Sequence, residues 1–107
     1  MKLTLHNSFD IEELFQRGAK IYTPYFMVLF LKTTDETSGK IAYIAGKKIG
    51  NAVKRNKAKR ILRALVNVHG NSHKGYKMAL VARKNIMNAS FSNLSKLYNE
   101  KVVSVLN

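Results

Sequence analysis

The stretch NAVKRNKAKRILRALVNVHG, residues 51–70, decides how this 107-residue chain is read. Asn51 is a natural N-cap and Gly70 a natural stop, so the interval predicts one helix over residues 51–68. At about 100° per residue, Ala58, Ile61, Leu62, Leu65 and Val68 share one arc of about 120°. Arg55, Lys59, Arg63 and Arg60 gather on another. The helix therefore has a core face and a cationic face. Six cations, Lys54, Arg55, Lys57, Lys59, Arg60 and Arg63, fall within ten residues. Surface helices ordinarily place acids three or four residues from such cations and gain from the pairing. This one has none, and its charges repel one another unless a polyanion relieves them. Arg suits two-pronged phosphate contacts and Lys point-charge contacts. Arg55, Lys59 and Arg63 are spaced to follow one phosphate strand.

Outward from the helix, Gly46 and Gly50 bracket Lys47-Lys48-Ile49, leaving room for a short strand near residues 46–49. Residues 40–45 read as a strand. Residues 21–32, IYTPYFMVLFLK, read as another, because they are rich in aromatic and β-branched side chains. A polar turn over residues 33–39 makes the two a hairpin. Within 21–32, Phe26, Val28 and Phe30 alternate with Met27 and Leu29, so both faces are apolar. One face meets the core; the other must be covered or serve as a site. Residues 9–17 predict a short helix capped by Ser8, with Ile11, Leu14 and Phe15 on one face and Gly18 at its stop. After a loop over residues 71–75, YKMALVA (76–82) is a strand. A last helix starts near Phe91, capped by Ser90 or Ser92, with Leu94, Leu97, Tyr98 and Val102 as its stripe. The order helix, strand, strand, helix, strand, helix predicts an α+β fold of one sheet and packed helices.

Charge narrows the partner. Nineteen Lys and Arg against six Asp and Glu leave a formal +13. Between Thr37 and Asn99 there is no acid at all, while fourteen cations lie in that span. Such a field attracts a polyanion, and nucleic acid is the leading one for a small basic domain. The chain has no Cys, which excludes disulfides and thiolate metal sites. It has no apolar run long enough to span a membrane, and its interrupted N-terminus is no signal peptide; a cytoplasmic, membrane-free protein is expected. His69 and His73 have metal-ligand spacing but lack a third ligand, and Glu12-Glu13 are placed for a helix N-terminus rather than for acid–base work. No phosphate-cradling glycine loop is present. No self-sufficient active site is legible.

The segment KKIGNAVKRNKAKRILRAL, residues 47–65, resembles the ribonuclease P protein component. That family shows a lysine pair, a G-N/K-A-V turn and an R-N-R-x-K-R-x-x-R helix. Phe15-Gln16-Arg17-Gly18 looks like its F-x-x-G, Ala82-Arg83-Lys84 like its A-R strand end, and residues 89–94 like the start of its last helix. The similarity runs in order along nearly the whole chain. It implies a single two-layer α+β domain over residues 1–107, with an about four-stranded mixed sheet, three helices and a left-handed strand–helix–strand crossover. It implies a protein that assists a catalytic RNA in removing the 5′ leader of precursor tRNA. The RNA would supply the chemistry, magnesium would serve the ribonucleoprotein, and the protein alone would be inactive and bind no cofactor. By position, Lys47, Lys48, Arg55, Asn56, Lys57, Lys59, Arg60 and Arg63 would contact RNA. A cleft between first helix and sheet would take the leader, with Ile11, Phe15, Met27 and Leu29 along its floor. The expected partners are the catalytic RNA and precursor tRNA, not DNA, with the protein monomeric before assembly. Three positions depart from the family pattern: Lys57 stands where Arg is common, Gly46 where Ser is common, and Ile11 where an aromatic is frequent. A general RNA-binding module would share the basic helix without needing the cleft. A stand-alone nuclease would need a metal-holding cluster that the sequence does not show.

Overall fold

The computed structural model describes residues 8–32, 40–69 and 75–106. The chain runs α1 (Ser8–Arg17), β1 (Ala19–Tyr22), β2 (Phe26–Lys32), β3 (Lys40–Ile44), a 3-10 turn at Lys47–Ile49, α2 (Ala52–Val68), β4 (Tyr76–Ala82), a second 3-10 turn at Ile86–Asn88, and α3 (Phe91–Tyr98). A π turn at Asn99–Val103 carries α3 into a last turn at Ser104–Leu106. The sheet order is β1-β2-β4-β3.

Three expectations about strands are corrected. The predicted strand over 21–32 is two strands, because the chain reverses at residues 23–25. The Thr23 hydroxyl donates to the Phe26 carbonyl at 2.7 Å and accepts from the Phe26 N–H at 2.9 Å. Pro24, with no N–H and a fixed φ, sits inside that turn. The second correction concerns pairing. β3 is not the hairpin partner of β2; it pairs in parallel with β4, and β2 pairs antiparallel with β4. β4 is apolar on both faces, with Met78, Ala79 and Leu80 all fully buried, and therefore takes a central place in the sheet. The room left near 46–49 is filled by the 3-10 turn rather than a strand. Ile49 is buried, and Gly50 at φ +136° adopts a backbone open to glycine but not to a residue with a side chain.

Strand alternation sends two sets of side chains to opposite faces. Phe26, Val28, Ile41, Met78 and Leu80 join Ala58, Leu62, Leu65 and Val66 of α2 and Leu94 and Tyr98 of α3 in the main core. Leu29, Ala42 and Ala79 join Leu14 of α1 in a smaller core on the other face. Helices thus cover both faces, α1 only partly. Gly18 lets α1 turn straight into β1: a Cβ there would stand 2.5 Å from the Leu14 carbonyl oxygen and 3.3 Å from that of Phe30. Glu13 of α1 also bridges to Lys77 of β4 at 3.6 Å.

The caps of α2 and α3 follow the sequence. The Asn51 side chain accepts from the Lys54 N–H, and Ser90, rather than Ser92, accepts from the Asn93 N–H. α1 begins at Ser8, one residue early. Leu94, Tyr98, Val102 and Leu106 are buried at a constant spacing of four. A pure α-helix would rotate such a stripe off the core; the π turn, with its wider i→i+5 bonding, keeps it there. The Tyr76 hydroxyl donates to the Leu106 carbonyl at 3.1 Å and closes the end of the chain on β4. The predicted turn over 33–39, the stop at Gly70, the loop at 71–74 and His73 lie outside the described residues.

Candidate nucleic-acid interface

On α2 the buried residues are Ala58, Leu62, Leu65 and Val66, while Ile61 is half-buried and Val68 is 59% exposed. The buried arc is thus rotated by about 50° from the one the wheel predicts. Its rotation brings Arg55 into the arc, between Leu62 and Val66. Arg55 is accordingly half-buried, and its Nε is sealed from solvent with no hydrogen-bond partner. Lys59 beside it is also half-buried, whereas Asn56, Lys57, Arg60 and Arg63 are exposed. The predicted single rail is therefore two sets, one anchored at the core edge and one outward. Arg63 is further placed by Tyr43 of β3: its guanidinium carbon lies 5.2 Å from the ring centroid. Burial raises the Tyr43 pKa and the Arg63 charge partly offsets it, so the ring stays neutral under the cation.

The helix starts at a concentration of positive charge. Lys47 and Lys48 are exposed on the 3-10 turn just before it. The turn's neighbours define a depression at the C-terminal ends of the parallel pair β3 and β4, lined by residues 46–49 and 81–85 with Pro24 and Ile44. The Arg83 N–H donates to the Tyr25 carbonyl at 3.0 Å, which holds the β4 end against the Pro24 turn. Lys47, Lys48, Arg83 and Lys84 thus surround one opening, and none has an ion-pair partner among the described residues. The exposed N–H groups and dipole of the α2 N-terminus add to the positive potential. Arg83 and Lys84 escaped the sequence reading as site residues. Their signal was two cations directly after a buried strand.

The α1 face of the sheet has an uncovered part. Tyr22, Met27, Val81 and Ile44 are paired in one row across all four strands. The adjoining row, Lys20, Leu29, Ala79 and Ala42, is the one α1 covers through Leu14. On the α1 side of the sheet the first row is a partly exposed apolar strip. Met27, Val81 and Ile44 are half-buried, as is Ile11 on the helix, and Phe15 is 40% exposed. Of the four residues expected along a cleft floor, Ile11, Phe15 and Met27 thus offer surface. Leu29 does not: it is fully buried beneath Leu14, and Val81 and Ile44 take that place. Period-two alternation in YKMALVA could have found Val81, since Ala79 and Val81 share a face.

His69 ends α2 with its ring stacked on Tyr98, centroids 5.1 Å apart. Among the described residues no three His, Asp or Glu side chains are grouped to hold a metal, and no helix is long and apolar enough to cross a membrane.

A mixed four-stranded sheet with helices on both faces, one of them cationic at its start, defines a small nucleic-acid-binding α+β protein. The chain belongs to the ribonuclease P protein family: the family model described as Ribonuclease P matches residues 1–105. The ribonuclease P protein component of a Nitratiruptor species is 29% identical over 93 residues, covering 87% of this chain and 83% of its own. That of Helicobacter acinonychis is 29% identical over 118 residues, with 95% and 77% covered. The fold matches the ribonuclease P protein of Staphylococcus aureus with a TM-score of 0.84 at 19% identity, over 98% of this chain and 96% of that one. The Thermotoga maritima protein matches with a TM-score of 0.77 at 24% identity and the same coverage. The protein is thus a component of a ribonucleoprotein endoribonuclease of tRNA processing.

Proposed function

We propose that the protein binds the catalytic RNA of ribonuclease P through Lys47, Lys48 and the cations of α2, and the 5′ leader of precursor tRNA through the groove beside α1. One observation carries this reading. The apolar row ends at Ile44, and just beyond it, across the turn bearing Lys47 and Lys48, the basic helix begins. A single strand lying on Met27, Val81 and Ile44 with its bases would leave the sheet among Lys47, Lys48, Arg83 and Lys84 with its phosphates. Arg55, Asn56, Lys57, Lys59, Arg60 and Arg63 continue that surface toward the catalytic RNA.

In this reading the RNA carries out hydrolysis of the phosphodiester with its own metal ions. The protein's part is positioning and charge neutralisation, which strengthen substrate binding and reduce the magnesium the RNA needs. The test is reconstitution. The protein alone should leave precursor tRNA intact, and with its cognate RNA it should allow leader removal at magnesium concentrations where the RNA alone is slow. No gain at any magnesium concentration refutes the reading.

A further inference from the structure

The buried arc of α2, formed by Ala58, Leu62, Leu65 and Val66, fixes which way the helix faces outward. At about 100° per residue, Val53, Asn56, Arg60, Ala64 and Asn67 form the crest opposite that arc. Only Arg60 among them is charged; all are exposed except the half-buried Ala64, and Val53 is 72% exposed. The other cations stand on two flanks. Lys59 and Arg63 occupy the flank toward β3, where Arg63 meets Tyr43. Lys57 lies about 120° from the centre of the buried arc in the opposite sense, on the other flank. Lys54 is on that flank too, nearer the helix start, with its stem laid over Gly50: a Cβ there would stand 2.8 Å from Lys54 Cδ. Flank cations can serve merely to cover the edges of a core stripe with their stems. That accounts for Arg55 and Lys59, which are half-buried, but not for Lys57 and Arg63, which are exposed. Nor does it account for a crest with one charge, since a helix face that meets only water carries its charged residues there. A nearly neutral crest between two cationic flanks fits the space between two phosphate strands. One strand running alongside α2 reaches one flank only, because the helix body, about 10–12 Å across, stands between the flanks.

We infer that α2 lies in the minor groove of a double-stranded segment of the catalytic RNA, with Lys59 and Arg63 on the phosphates of one strand and Lys54 and Lys57 on those of the other. This rests on the reading above that α2 binds that RNA. The minor groove of an A-form duplex is wide and shallow and displays 2′-hydroxyls, whereas the major groove is too deep and narrow for side chains to read. Val53 and Ala64 are short and let the helix come close. The side-chain amides of Asn56 and Asn67 have donors and acceptors for 2′-hydroxyls and base edges. Such a contact selects paired RNA by its shape rather than by its sequence.

The chain has no Cys, so Lys57→Cys and Lys59→Cys each carry a single thiol to which iron–EDTA can be tethered. Hydroxyl radicals released at the iron cut the RNA strand nearest to it. With the catalytic RNA saturated by protein, the two variants should cut two different strands that pair with each other. Cuts by both on one strand, or on strands that do not pair, overturn the inference. So do cuts from one variant alone, which would leave the other flank in solvent. No cuts from either variant would take α2 off the RNA, and the reading on which the inference rests falls with it. Salt dependence gives a second measurement without an attached label. Lys57→Ala and Lys59→Ala should each lower the slope of log affinity against log salt by about one, and the double variant by about two. A slope lowered in Lys59→Ala but unchanged in Lys57→Ala keeps RNA binding by α2 and removes the second strand.

Discussion

In the proposed interface, Arg63 is a side chain already positioned before any phosphate arrives. A free arginine loses rotamer entropy on binding; this one already rests over Tyr43. An exposed cation–π contact of this kind is worth about 0.5–1 kcal/mol. Tyr43→Leu should therefore weaken affinity for the catalytic RNA about two- to fivefold while leaving the salt dependence unchanged, because the number of cations is the same. Arg63→Ala should weaken binding and also lower the salt slope by about one. A slope that moves in Tyr43→Leu, or stays fixed in Arg63→Ala, contradicts this division of labour. Single residues also mark where sequence reasoning runs out. The type and place of Arg55 were legible in the wheel, but its burial was not, because a wheel cannot tell which edge of an apolar stripe the sheet will press.

Among the elements, α1 is the one whose placement makes or removes the groove. Among the described residues, α1 is held by Leu14 and Ile11 at the small core, by Glu13 on Lys77, and by the close backbone approach at Gly18. The ion pair is partly exposed and worth less than about 1 kcal/mol. The approach at Gly18 has no slack, since the atoms a Cβ would meet belong to the backbone. Gly18→Ala should cost about 1–3 kcal/mol, read as a lower Tm, and should lift α1 enough to reduce leader-dependent binding more than binding to the catalytic RNA. An unchanged Tm would show that the helix can shift freely. Elements with strong periodicity were legible: α2, β4 and the start of α3 stand within a residue or two of their predicted bounds. The β1–β2 hairpin was not, because Thr23 and Pro24 make a turn inside a run whose β propensity is otherwise unbroken. Nor was the neighbour of β3, since a parallel pairing leaves no local mark, whereas a polar turn between two strands suggests a hairpin.

At the scale of the whole molecule, the junction of α2 with α3 ties stability to pH. Burial lowers the His69 pKa below the ordinary histidine value, and a hydrogen bond with the Ser95 backbone partly opposes the shift. The unfolded chain takes up this proton from about pH 6.5 downward, the folded chain only at lower pH. Between the two values the unfolded state holds more protons, so stability falls as pH drops through that window and is fully present above it. His69→Phe keeps the stack on Tyr98, and its Tm should fall less than wild type between neutral and mildly acid pH; equal falls would remove His69 from the account. The cationic half of the candidate interface could be proposed from sequence because charge needs no geometry to be counted. The groove half was not: it depends on four residues from four strands meeting in one row, and only their register shows it. That register has a further consequence, one of timing. β4 lies between β2 and β3, although it is made after both. A nascent chain that ends before residue 76 has the β1–β2 hairpin, but its third strand lacks the neighbour it has in the finished sheet. Closure waits for the strand that is inserted, so assembly cannot follow the order of synthesis, and the last third of the chain acts as a clasp on what came before it.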